Sequence, residues 1–213
     1  MTTPTTTPAK AWEEMVRGNE RFITGVPRHP RQDVDRRGEL IGTQSPHATL
    51  FGCSDSRLAA EIIFDKGLGD LFVIRNAGQV ISESVIGSLE YSVAILGVPL
   101  IVVLGHDECG AVRAAIDSQA PNAKSISPHI DHLIRPITKA VRDASATLAE
   151  GEEPDASDVG RRHLRATIAE MVAGSELISE AVAAGTLAIV GANYRLLEGR
   201  AVRDVVVGDI NVS

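Results

Sequence analysis

The chain has 213 residues, enough for one domain with a sizeable apolar core. Its 21 Lys and Arg against 28 Asp and Glu exclude a general phosphate-backbone binder, and 3% aromatic residues leave few platforms for stacking bases or sugars. The longest apolar stretch, Val98–Leu104, is too short to span a bilayer and the opening residues hold no apolar run, so a cytoplasmic protein without membrane or nucleic-acid partners is expected.

Residues 1–9 are rich in Thr and Pro and read as a flexible tail, with a single domain over 10–213. Trp12, Met15, Val16, Asn19, Phe22 and Ile23 recur at helical spacing and stop before Gly25. This predicts an amphipathic N-terminal helix, an arm that packs either on its own core or on a partner subunit. Residues 27–46 read as a loop with one helical turn around Asp33–Leu40. From His47 the texture becomes alternately β and α. A strand at 47–53 precedes a helical pattern through Leu58–Phe64, and a strand at Asp70–Arg75 precedes a helix from Val85 to Leu96. Val98–Leu104 is a third strand, apolar at every position as suits a sheet buried on both faces. Ser127 and Pro128 read as an N-cap and first helical position, with the helix running to Val141 past Pro136. Residues 144–160 read as a loop, and Leu164 to Val182 as one long helix ending at Gly185. Leu187–Gly191 is the fourth strand, and Arg200–Val207 is expected to return antiparallel at an edge. The fold class is α/β: about four parallel strands plus that edge strand, flanked by helices.

Two segments carry chemistry. Cys53-Ser-Asp55-Ser-Arg57 follows one strand, and Gly105-His106-Asp-Glu-Cys109-Gly110 follows another. Strand ends in an open α/β sheet converge on a crevice where sites are built. Two cysteines and a histidine there match the Cys2His donor set of a catalytic zinc, whose fourth position holds water. Asp55 could instead supply a fourth ligand and close the sphere. A Cys53–Cys109 disulfide is disfavoured by a reducing compartment, and no Cys-x-x-Cys redox pair is present. The other histidines, His29, His47, His129, His132 and His163, lack such company and are expected at the surface or in packing. Zinc-bound water falls from a pKa of about 15.7 toward about 7 with neutral histidine ligands. Two thiolates cancel the formal charge of Zn²⁺, so activation here is expected to lie further toward alkaline pH.

These motifs, with Arg75-Asn76-Ala77-Gly78 between them, resemble the β-class carbonic anhydrases. The resemblance runs in order from the helix at Trp12 to the strand at 187–191. It implies a mainly parallel sheet in a homodimer or homotetramer, one Zn²⁺ per chain, and reversible hydration of carbon dioxide to bicarbonate. By resemblance, Cys53, His106 and Cys109 hold the metal, and Asp55 accepts a hydrogen bond from its water. Arg57 pairs with Asp55, and loss of that pair would let Asp55 take the fourth position. Gln44, nine residues before Cys53, falls where the family binds substrate, and Phe72 and Tyr91 fall where it lines an apolar cleft partly across a dimer interface.

Departures are visible too. Some members hold a regulatory bicarbonate with a tryptophan three residues before the first zinc cysteine; Leu50 stands here, while Arg75 and Tyr194 match the other two positions. Gln79 stands where the family often has asparagine. The alternatives are a zinc-closed binding or regulatory domain, a redox dithiol, and a related hydrolase of carbon disulfide or carbonyl sulfide. Nothing in the sequence ties His129 or His132 to the site as proton shuttles.

Overall fold

The computed structural model describes residues 6–146, 148–149 and 151–211. In chain order the elements are α1 (Pro8–Ile23), α2 (Val34–Glu39), β1 (Ala48–Cys53), α3 (Ala60–Ile63), β2 (Leu71–Asn76), α4 (Glu83–Ala94) and β3 (Leu100–His106). They continue with α5 (Gly110–Asp117), α6 (Pro128–Ser145), α7 (Ala156–Gly174), α8 (Glu176–Ala183), β4 (Ala188–Arg195) and β5 (Arg200–Val207).

The strands form one sheet in the order β2-β1-β3-β4-β5. The first four are parallel and β5 runs antiparallel to β4, the arrangement the apolar runs predict. Period-two alternation sends neighbouring residues to opposite faces. Leu50, Leu100, Val102, Leu104 and Val190 pack under α1, α5 and α6, while Phe51, Ile101, Val103 and Ile189 pack under α4, α7 and α8. β2 is an edge strand, and its residues are partly covered save Arg75, which is exposed.

Helix α1 starts earlier than the sequence reading placed it. Thr7 in extended conformation accepts from Lys10 N–H, and Pro8 occupies the first turn, where its missing N–H costs no bond. The rest of the expected tail, residues 1–5, lies outside the described residues. The stripe of Ala11, Trp12 and Met15 is buried in this chain's own core, beside α3 and β5. Gly18 is the point of closest approach. A Cβ there would sit 1.8 Å from the carbonyl oxygen of Phe64, a backbone atom that cannot swing aside. Gly18→Ala is therefore expected to push α1 off the domain, at a cost of about 1–3 kcal/mol for overpacking. A melting curve checks it, and an unchanged Tm would show that α1 tolerates the shift.

Three further differences have local causes. The stretch after Cys109 forms α5, whose Val112, Ala115 and Ile116 lie on one buried face. α7 begins inside the segment read as a loop, because Asp155 caps Asp158 N–H and Val159 is already core. The single long helix expected to Gly185 is two helices. Ser175 is extended (φ −139°, ψ 111°), and its hydroxyl caps Ile178 N–H to start α8.

Candidate metal centre

The chain leaves β1 toward β2 on one side of the sheet and enters β3 on the other, so the strand order reverses between β1 and β3. Such a switch point leaves a crevice at the carboxyl ends of the two strands. Gly52 pairs with Leu104, so Cys53 ends β1 beside the Gly105-His106 end of β3. Glu108 then turns through the left-handed region at φ 52°, which folds the segment back on itself. Cys109 follows as the N-cap of α5. The ligand atoms of Cys53, His106 and Cys109 lie within 4.8 Å of one another, and all three residues are buried.

The donor set fits a metal. His106 Nδ1 lies 2.7 Å from the carbonyl oxygen of Asp107, so Nδ1 carries the proton and donates to that oxygen. Its Nε2 is thereby a bare lone pair, buried and without a hydrogen-bond partner, beside two sulfurs. Metal-binding histidines are oriented by such a bond from the other ring nitrogen. The sulfurs are poised as well. Cys53 is pushed down because the Cys109 thiol donates to it, with help from the N–H groups of Gly78 and Asp55, against the opposing effect of burial. Cys109 is pushed up, first by holding that shared proton and then by burial. Gly78 N–H reaches the Cys53 sulfur at 3.3 Å.

Asp55 stands outside this trio. The Arg57 guanidinium clamps its carboxylate with two bonds of 2.9 and 2.8 Å, and Arg57 N–H adds a third at 2.9 Å. That clamp, the largest influence on it, holds the Asp55 carboxyl well below the usual carboxylate range. Arg57 is itself anchored by donating to the Glu108 carbonyl at 3.1 Å, which ties the two motif loops together. Arg75 secures the other side by donating to the carbonyls of Cys53 and Asp55 at 3.0 and 2.7 Å.

The remaining predicted residues scatter. Gln44 is exposed and, with Tyr91, lines an open cleft of about 1000 Å³ between Pro46, Gly97 and Pro99. Those residues precede β1 and β3, so the cleft lies at the opposite end of the strands from Cys53, about 17 Å away at the rise of a β-strand. Phe72 sits beside Thr49 near the start of β1, and its ring centroid is 6.1 Å from that of Tyr91. Leu50 is core, Arg75 is occupied as described, and Tyr194 is buried in β4, where burial raises its pKa. His163 is buried, whereas His129 and His132 are exposed on α6. Sequence reasoning missed Gly78 as a sulfur partner, although its place in the quoted Arg-Asn-Ala-Gly stretch was the available signal. It also missed Glu108, whose carbonyl holds Arg57.

A family model described as carbonic anhydrase matches residues 48–201. "Carbonic anhydrase 2" of Mycobacterium tuberculosis is 47% identical over 211 residues, covering 97% of this chain and 98% of that protein. The carbonic anhydrase of Mycolicibacterium smegmatis is 44% identical over 208 residues, with 97% and 98% covered. Among solved structures, a tetrameric β-carbonic anhydrase of Sordaria macrospora superposes with a TM-score of 0.69 at 27% identity, covering 78% of this chain and 84% of that one.

Proposed function

The chain belongs to the carbonic anhydrase family, and from that premise we propose that it hydrates carbon dioxide reversibly to bicarbonate and a proton, with one zinc ion held by Cys53, His106 and Cys109. The observation that carries this reading is the preformed donor set, with the unpartnered lone pair of His106 Nε2 facing two sulfurs. When bound, zinc supplies the Lewis acidity that makes water a nucleophile near neutral pH.

The chain's own groups do the rest. Asp55 stays anionic under the Arg57 guanidinium, so it acts only as an acceptor. It takes a hydrogen bond from the attacking water and aims a lone pair at the substrate carbon. Arg57 keeps that carboxylate from moving onto the metal. Carbon dioxide is small, neutral and apolar, so the rings of Phe72 and Tyr91 suit it better than charge would. Gln44 donates to a substrate oxygen. Within one chain Gln44 and Tyr91 lie a strand's length from the cysteines, so they reach a site only from a second copy. The partly covered edge strand β2 offers the place for a homodimer, and a pair of dimers would match the Sordaria enzyme, described as tetrameric. Among the described residues no helix is long and apolar enough to cross a membrane. The need for two free thiols favours a reducing cytoplasm.

Stopped-flow hydration on zinc-quantified protein tests the reading. Turnover is expected to climb from neutral toward alkaline pH at one zinc per chain. Asp55 is already charged far below that range, so its titration cannot produce the alkaline limb. A flat profile would contradict the charge argument, and full zinc without turnover would defeat the proposed activity.

A further inference from the structure

The turn after β2 supplies the N–H that meets Cys53, and both local bonds and a distant helix hold that turn. Gly78 adopts φ +78°, in the left-handed region that favours glycine. A Cβ there would come within 2.8 Å of the Ala111 side chain and 3.0 Å of Ile137. Below the turn, Asn76 ties its side chain to both backbone groups of Val80. Across it stands α7. His163 Nε2 lies 2.7 Å from the Gly78 carbonyl oxygen, and the ring is 2% exposed. A carbonyl can only accept, so Nε2 carries the proton and donates. Four residues on, on the same face of α7, the buried Thr167 hydroxyl reaches the Gln79 carbonyl at 3.5 Å. One helix face therefore grips two successive carbonyls of the turn whose N–H meets the sulfur.

We propose that His163 is a positioning residue for the metal centre: it fixes the Gly78 backbone so that the Gly78 N–H stays on the Cys53 sulfur. The action is mechanical. The carbonyl that His163 holds belongs to the peptide following Gly78, whereas the N–H belongs to the peptide preceding it, so direct polarisation through one amide is not involved. Partners of this kind orient metal ligands and tune the charge they carry. The inference rests on the proposed metal site at Cys53 and adds a residue 110 positions away to it.

The cobalt(II)-substituted full chain gives a readout independent of turnover. A thiolate that loses an N–H donor yields its electron more easily, so His163→Phe is expected to move the thiolate-to-cobalt charge-transfer band to longer wavelength. It is also expected to speed chelator-driven metal release by about 10-fold. His163→Gln keeps an N–H donor at similar reach and should restore both. Band and release rate unchanged in His163→Phe, even with a lower Tm, would reduce His163 to core packing and overturn the proposal. Equal displacement in Phe and Gln variants would overturn it as well, since the donor would then not matter. Should His163→Phe fail to fold, Thr167→Val carries the test: a smaller shift in the same direction supports the grip, and none defeats it. A parent protein with no thiolate-to-cobalt band would instead sink the metal-site reading itself, which separates the two failures.

Discussion

Replacing Cys53 by serine is expected to strip the chain of stoichiometric zinc and to lower carbon dioxide hydration by about three orders of magnitude or more. The size follows from what the residue holds. Cys53 is 6% exposed at the end of β1, where it faces His106 and Cys109 and accepts the Gly78 N–H. A serine hydroxyl fills nearly the same space but stays protonated near neutral pH and is a poor ligand for zinc, which binds thiolate and imidazole. Two donors would remain where a stable tetrahedral site needs three from the protein. The fold should survive, because the sheet around Cys53 is built from apolar residues of β1, β3 and β4 that the change leaves alone. Zinc content, stopped-flow rate and a melting curve on one sample separate the effects. One zinc per chain with near-parental turnover would remove Cys53 from the site.

Much of this architecture was legible in the sequence because its causes are local. The unbroken apolar run at 98–104 suited a strand covered on both faces, and β3 runs two residues later, over Leu100–His106, while the Ser127-Pro128 pair marked a helix start without any tertiary information. The donor trio was legible for a different reason. Cys53 ends one apolar strand and Cys109 follows another, and strand ends converge at a switch point. What escaped depends on contacts between distant segments. α5 is short and follows a motif that drew the eye, although Val112, Ala115 and Ile116 keep helical spacing. The break at Ser175 is invisible to periodicity, since both flanking helices are apolar on their inner faces and the hydroxyl that starts α8 also bonds Glu90. His163 read only as a surface or packing histidine because its partner, Gly78, lies 85 residues away. Gln44 shows the converse: its spacing from Cys53 was legible, but a strand runs between them and sends it to the far end of the sheet.

Arg57→Ala is expected to keep zinc and the fold while lowering hydration by about two to three orders of magnitude, the range of a lost positioned acid–base group. The charge on Asp55 is not what is lost. Without the guanidinium its carboxyl returns toward the ordinary range near 3.9, so at neutral and alkaline pH it remains an anion. What changes is where the anion goes. Two of its three bonds vanish, leaving only the Arg57 backbone N–H at 2.9 Å, and the freed carboxylate could swing toward the place proposed for the metal. A carboxylate oxygen is a good fourth zinc ligand, and that move would block the position water needs. Asp55→Ala should be impaired by a similar factor, since the water loses its acceptor. The double variant decides between roles. If the two residues act as one device, Arg57→Ala with Asp55→Ala will be no slower than either alone, a large departure from additivity. If the pair serves only packing, hydration will stay near parental and the losses will appear in Tm instead. That second pattern is disfavoured by the exposure of Arg57, although Asp55 is largely covered. The Arg57 side chain is 49% exposed against 17% for Asp55, and an ion pair half open to solvent adds little stability to protect.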